Sequence, residues 1–222
     1  MAKGKQVITE RDILQAHQNQ RTEFIVPAGT LITPAAVDAA KARGIKLKRE
    51  GAAQATSAPS LPPPSPPPSL SSRIAIGSDH GGYALKESLK TFLRELGFHY
   101  EDVGTFSEAS VDYPDIAEKV AEQVASGSAS CGIMIDGAGV GSAMAANKVP
   151  GIRAAACYDT YTARNSREHN NANILVLGSR NLGIDIAKEI VKVWLNTGFG
   201  GGRHLRRVEK IAEIEKKYSR TG

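Results

Sequence analysis

Between residues 131 and 147 the chain passes from a continuous apolar run, CGIMI, through Asp136 into the alternate glycines of Gly137-Ala138-Gly139-Val140-Gly141. An Ala-rich run, SAMAAN, comes next. That order predicts a buried strand, a tight turn and a helix. Glycine permits φ > 0 and lets a ligand approach the backbone closely. The start of a helix presents unpaired N–H groups and the positive end of its dipole. The stretch therefore reads as a cradle for an anion or a developing oxyanion, with Asp136 at its lip.

The same alternation runs through the second part of the chain. Apolar strand patterns at 73–77, 99–103, 131–135, 152–158 and 174–177 alternate with helical periodicity at 83–96, 113–125, 142–147, 160–170, 182–197 and 208–217. Continuous apolar strands separated by helices predict an α/β fold, a Rossmann-like parallel sheet with helices on both faces. Ligands of such sheets sit at the carboxyl ends of the strands.

The preceding segments have a different character. Residues 1–50 read as a small module. Thr9 and Asp12 form a capping-box-like start, a short strand covers 23–26, and Thr33-Pro34 opens a second helix that Gly44 ends. Residues 45–48 alternate as an exposed strand. Residues 51–72, GAAQATSAPSLPPPSPPPSLSS, hold seven of the eleven prolines and read as an extended polyproline spacer. Residues 73–222 form the main domain.

Composition excludes several classes. No apolar run is long enough for a transmembrane helix, and residues 1–30 lack the apolar core of a secretion signal, so a cytoplasmic location is expected. Cys131 and Cys157 sit in apolar runs, as buried thiols do, and no His/Cys spacing points to a metal site. The net charge of +5 is concentrated in residues 1–50, with nine Lys and Arg against five Asp and Glu. The basic residues are scattered and no aromatic platform accompanies them, so nucleic acid is not expected as a partner. Gly137-x-Gly139 after a strand resembles a dinucleotide fingerprint, but its third glycine falls at Ser142 and the fingerprint fails.

Reading off strand ends collects Asp79 and His80 after the first strand, the cradle after the third, Tyr158 and Asp159 after the fourth and Arg180 after the fifth. Two further polar clusters contain His169 and Asn170, and Arg203, His204 and Arg207. One rim carrying carboxylates, histidines, arginines and a glycine cradle suits a small, anionic, polyhydroxylated ligand.

The motifs SDHGGYALK, DYPD at 112–115, GxGxG followed by AANKVPGIRAA, REHNNAN with LVLGSR, and GGRHLRRVEKI run in order from 73 to 217. Together they resemble the ribose-5-phosphate isomerase B and galactose-6-phosphate isomerase family. The resemblance implies aldose–ketose isomerisation of a sugar phosphate through a cis-enediolate. It implies no metal, no organic cofactor, and a homodimer or dimer of dimers whose active sites are shared between subunits. By motif position, Asp79 and His80 would contact the sugar, His169 would promote ring opening, and Asn170 would help hold the enediolate. Arg180, Arg203, His204 and Arg207 would bind phosphate, and Tyr113 would line the pocket. The backbone at Gly137, Ala138, Gly139 and Gly141 would form the anion hole.

The run VITERDILQA, with Gly29-Thr-Leu-Ile-Thr-Pro-Ala-Ala36, resembles short N-terminal segments of enzymes associated with bacterial microcompartments. That implies packaging through shell proteins. An appendage with no targeting role is the other reading.

The chain departs from the isomerase pattern at its centre. Many members have a cysteine base where Asp136 stands and Thr or Ser at Ala138, and another subgroup has Glu at Ser142. Cys131 cannot substitute, because an odd spacing along a strand puts it on the other face. Two readings result: Asp136 is itself the base, or the protein is a weak or inactive sugar-phosphate-binding paralogue.

Overall fold

The computed structural model describes residues 7–19, 21–27, 30–49 and 65–219. Gly29 and the first part of the Pro-rich stretch, 51–64, lie outside them. The chain divides into two compact units, Met1–Ser60 and Leu61–Gly222.

The first unit repeats one pattern. β1 (Val7–Ile8), α1 (Glu10–Gln18) and β2 (Glu23–Val26) are followed by β3 (Leu31–Ile32), α2 (Pro34–Ala42) and β4 (Lys46–Arg49). β1 pairs in parallel with β3, and β2 with β4. A Thr precedes each helix. The Asp12 carboxylate accepts from the Thr9 N–H at 2.7 Å, and the Thr33 hydroxyl accepts from the Ala36 N–H at 3.2 Å. Gly44, at φ 67°, ends α2 in the left-handed region. Ile8, Ile13, Val26, Ala36, Ala40 and Ile45 close a small core of their own.

The second unit is the expected α/β sandwich. In order it contains β5 (Arg73–Ser78), α3 (Tyr83–Glu95), β6 (His99–Asp102), α4 (Tyr113–Ala125), β7 (Cys131–Asp136), α5 (Val140–Ala146) and β8 (Ala154–Ala156). Then come α6 (Thr160–Glu168), β9 (Ile174–Gly178), α7 (Ile184–Leu195), a 3-10 turn (Gly202–His204) and α8 (Leu205–Tyr218). The strands pair in the order β6-β5-β7-β9-β8, all parallel. On one face Ile74, Ile76, Ile133, Ile135, Leu175 and Leu177 pack against Leu89, Leu93, Ile190 and Trp194. On the other, Ala75, Met134, Ile174 and Val176 meet Ile116, Val120 and Ala146. Cys131 lies in the first layer. Burial pushes its thiol up to about 11, and burial also raises Cys157. Both cysteines are inert core residues.

The direction of winding reverses between β5 and β7, so their carboxyl ends form the switch point where open α/β sheets bind ligands. The two loops there press together. The Asp79 N–H donates to the Ile135 carbonyl at 3.0 Å, and a Cβ on Gly82 would come within 2.6 Å of that oxygen. The Ser179 hydroxyl donates to the Gly81 carbonyl at 2.8 Å, which joins the end of β9 to the same cluster.

Lys86 holds this corner from below. It is fully buried, and its Nζ donates to Asp102 Oδ1 and to the Thr105 carbonyl, both at 2.6 Å. Asp102 also accepts from Lys90 Nζ at 2.7 Å and from the Gly104 N–H at 3.0 Å. Removing one partner of a buried ion pair strands the rest, so Lys86→Ala should lower unfolding free energy by about 3 kcal/mol or more in a urea titration. Burial alone would raise Asp102, but hydrogen bonds from Lys86, Lys90 and the Gly104 N–H outweigh it and hold the carboxyl below its ordinary 3.8. A lowered carboxyl contributes stability above its unfolded value and loses it as pH falls through the folded one. The stability gap between wild type and Asp102→Asn should therefore be full at pH 6 and narrow below pH 3.8.

Candidate active site

The upper half of the candidate site is built on strand ends. Asp136, the last residue of β7, is buried. Its Oδ1 accepts from the N–H groups of Ala138, at 2.8 Å, and Gly139, and its Oδ2 accepts from the Ser142 N–H at 3.0 Å. The loop turns at Gly139, whose φ of 83° is left-handed, and α5 begins directly after it. The cradle thus selects an anion, and that anion is the side chain of Asp136. The expectation that these N–H groups face a ligand is corrected for Ala138 and Gly139. An aspartate two and three residues ahead of backbone donors closes on them locally. The Ser142 hydroxyl is buried with no hydrogen-bond partner among the described residues.

The neighbouring groups have defined states. Asp79 is buried, and its Oδ1 accepts from the Gly82 N–H at 2.8 Å. His80 Nδ1 accepts from the Val111 N–H at 3.3 Å, so the other ring nitrogen, Nε2, carries the proton and is a donor. Tyr113 opens α4 and lays its ring on Gly141, where a Cβ would come within 2.7 Å of the ring. Gly141 is therefore required for packing on Tyr113, a reason distinct from the anion hole. The Arg180 N–H donates to the Gly137 carbonyl at 3.0 Å, and a Cβ on Gly137 would lie 3.6 Å from Arg180 Nε. Asp79, His80, Tyr113, Asp136, the glycine loop and Arg180 are thereby brought to one end of the sheet.

His169, Asn170, Arg203, His204 and Arg207 are not. His169 and Asn170 come after α6 and before β9, so they lie at the amino end of the sheet. The Gly132 N–H donates to the Asn173 carbonyl, which marks this as the start of β7. Ile174 is in register with Gly132 and Gly178 with Asp136, a separation of about 13 Å along the strands. The expectation of a single rim is corrected accordingly: a parallel sheet sends residues after strands to one end and residues before strands to the other.

This lower cluster is ordered in its own right. The His169 and His204 rings stack with centroids 4.1 Å apart at 9°. Asn165 Nδ2 and His169 Nδ1 are 2.9 Å apart, and Arg203 Nε lies 3.4 Å from His204 Nε2. Desolvation, then the positive neighbours His169, Arg203 and Arg207, lower His204 below its ordinary value against the pull of Glu168. Arg167 holds the cluster together, a role that sequence reasoning misses. It is buried, donates Nε to the Thr197 carbonyl at 3.1 Å and Nη1 to the Ala172 carbonyl, and stacks 4.8 Å over Trp194. Its position on the inward face of α6, beside Ala163 and Ser166, is the signal that could have found it. Among the described residues no group of three His, Cys, Asp or Glu side chains forms a metal site, and no helix is long and apolar enough to cross a membrane.

Asp136→Ala would leave the buried N–H groups of Gly139 and Ser142 without their acceptor, at about 1–3 kcal/mol each when unmet, and would free the N–H of the exposed Ala138 to water. Its unfolding free energy should fall by at least about 2 kcal/mol, read from a urea titration.

The Ribose/Galactose Isomerase family model matches residues 74–211. Ribose-5-phosphate isomerase B of Escherichia coli is 47% identical over 145 residues, 65% of this chain and 97% of that protein. Among solved structures, ribose-5-phosphate isomerase B of Clostridium thermocellum is 58% identical with a TM-score of 0.66, over 66% of this chain and 99% of its own. The Thermotoga maritima ribose 5-phosphate isomerase is 50% identical with a TM-score of 0.63, over 64% and 99%. These relatives are matched almost whole, and residues 1–73 precede the family match. With its doubly covered parallel sheet and its motifs in family order, the chain belongs to the ribose/galactose isomerase family.

Proposed function

We propose that the protein is an aldose–ketose isomerase of sugar phosphates, interconverting ribose 5-phosphate and ribulose 5-phosphate or a related four- to six-carbon pair. The observation that carries this reading is the division of the family's functional residues between two ends of the sheet. Neither end is complete: one holds the carboxylates, the glycine loop, His80 and Arg180, the other His169, His204, Arg203 and Arg207. A second copy placing its lower cluster over the first copy's switch point completes both sites of a two-fold dimer. α8 supports such a dimer, since it buries no residue and exposes Ile211, Ile214 and Tyr218 on one face.

In the assembled site Arg203 and Arg207, with Arg180 and His204, hold the phosphate, as guanidinium forks do. His169 promotes ring opening, with Asp79 and His80 on the sugar hydroxyls and Tyr113 on the pocket wall. Asp136 takes the proton from C2 of the open aldose, and Oδ2, which accepts one N–H where Oδ1 accepts two, is the acting atom. The electron pair of the broken C–H bond forms the C1–C2 double bond of a cis-enediolate. The carbonyl pair moves onto O1, a proton passes from O2 to O1, and return of the abstracted proton to C1 then gives the ketose. Proton transfer moves negative charge from the carboxylate to the enediolate oxygens. Asn170, with the Gly137 and Gly141 backbone rather than the Ala138 and Gly139 N–H groups that Asp136 holds, meets that oxyanion.

The second reading, a sugar-phosphate binder with little turnover, is favoured by the same three N–H bonds, which commit the lone pairs a base must use. Deuterium incorporation into ribulose 5-phosphate from heavy water separates the two. Wild type should exchange the C1 proton, and Asp136→Asn should lose exchange by about a thousandfold, within the range of a positioned base, while still binding inorganic phosphate. Exchange unchanged in Asp136→Asn removes Asp136 as the base. No exchange or interconversion by wild type across tetrose, pentose and hexose phosphates leaves the binder.

Residues 1–50, which close their own core, are proposed to direct the enzyme into a bacterial microcompartment. Deleting them should abolish co-purification with shell proteins, and retained co-purification would end that role.

A further inference from the structure

The last part of the Pro-rich stretch belongs to the second unit and packs against its residues 198–199. The Ser65 carbonyl accepts from the Phe199 N–H at 2.9 Å. Gly198 lies directly beneath, where a Cβ would meet the Ser65 oxygen at 2.5 Å and the Pro67 nitrogen at 3.2 Å. Only glycine admits so close an approach of two backbones. Pro66, Pro67 and Pro68 have no N–H to satisfy and their φ is fixed by their rings, so they can lie against residues 198–199 at small entropic cost.

The segment they cover leads into the phosphate arginines. Thr197 is pinned through its carbonyl by Arg167, and the Gly200 N–H donates to the Glu168 carbonyl at 2.9 Å, next to His169. Phe199, between these two anchors, is buried, and its N–H is the one that Ser65 accepts. Gly201 and Gly202, both at positive φ, then turn the chain into Arg203. Two adjacent glycines make a soft hinge, so the placement of Arg203 depends on how firmly 197–200 is held. The family match covers residues 74–211, so residues 65–67 lie outside it while Gly198 and Phe199 lie within.

We propose that residues 65–67 are a strap that positions the phosphate-binding segment, making the linker a working part of the active site. The strap rests on the reading of Arg203 and Arg207 as the phosphate ligands. It acts by binding alone: the strap orders a loop whose arginines touch the phosphate in both ground and transition states, so its loss raises KM with little change in kcat.

The test uses the full-length chain in two variants that remove the contact from opposite sides. Gly198→Ala adds a methyl group that Ser65 cannot accommodate, and replacing 65–68 by Gly-Ser-Gly-Ser removes the strap. In both, KM for the sugar phosphate should rise by about fivefold or more and the inhibition constant of inorganic phosphate should rise in parallel, with kcat within about twofold. Amide hydrogen exchange at Phe199 should accelerate in both, which reports release of the strap independently of turnover. If exchange accelerates while KM stays within about twofold of wild type in either variant, the strap does not position the site. Arg203→Met separates this from the underlying reading. A raised KM there with unchanged KM in the strap variants overturns the strap alone, and an unchanged KM in Arg203→Met overturns the phosphate assignment and the strap with it.

Discussion

A sheet whose strands all run the same way sorts its residues by order along the chain. Residues just after a strand lie at one end, and residues just before a strand lie at the other, about a strand length away. Asp79, His80, Asp136 and Arg180 stand at or just after strand ends. His169 and Asn170 stand before one, and Arg203 and Arg207 come after a helix that descends to the same end. The arrangement is forced by β7, β9 and their connections, and side-chain reach cannot overcome it. Under the proposed function a single subunit would hold two half-sites, and a second copy would complete them.

Within the upper half-site the controlling contact is the Asp136 carboxylate on the N–H groups of Ala138, Gly139 and Ser142. A glycine loop at a helix start needs an anion, and this chain supplies one covalently. The loop is then organised before substrate arrives, as preorganised electrostatic stabilisation requires. The lower half-site is ordered by a buried cation. Arg167 bonds two carbonyls from different segments and so sets α6, with His169 beyond its end, against the start of the arginine segment. The linker strap adds a third anchor at Phe199.

Much of the fold is legible in the sequence because its signals are local and redundant. Continuous apolar strands, Thr33-Pro34 at a helix start and Gly44 at a helix end each state one backbone requirement that burial then enforces. The residues at strand ends are equally legible, since a parallel sheet places them by rule. Two further features escape a reading by motif although the order of residues contains them. The position of His169 ahead of a strand assigns it to the far end, and the spacing of Asp136 to Ala138 and Gly139 is that of a local carboxylate turn. Two others have no readable signal. The repeat of the first unit is carried by pairing rather than by sequence identity, and the docking of Ser65 on Phe199 is a backbone contact that composition cannot show.

The claim that one site needs two copies is tested most directly by mixing two inactive variants. Asp136→Ala disables the upper half-site, and His169→Ala with Arg203→Ala disables the lower. Unfolded and refolded together in equal amounts, they form mixed dimers that each hold one intact site. Random pairing predicts recovery of about a quarter of wild-type isomerase activity from two parents that have essentially none. A refolded mixture as inactive as its parents, with mixed dimers shown to be present, would contradict the shared site.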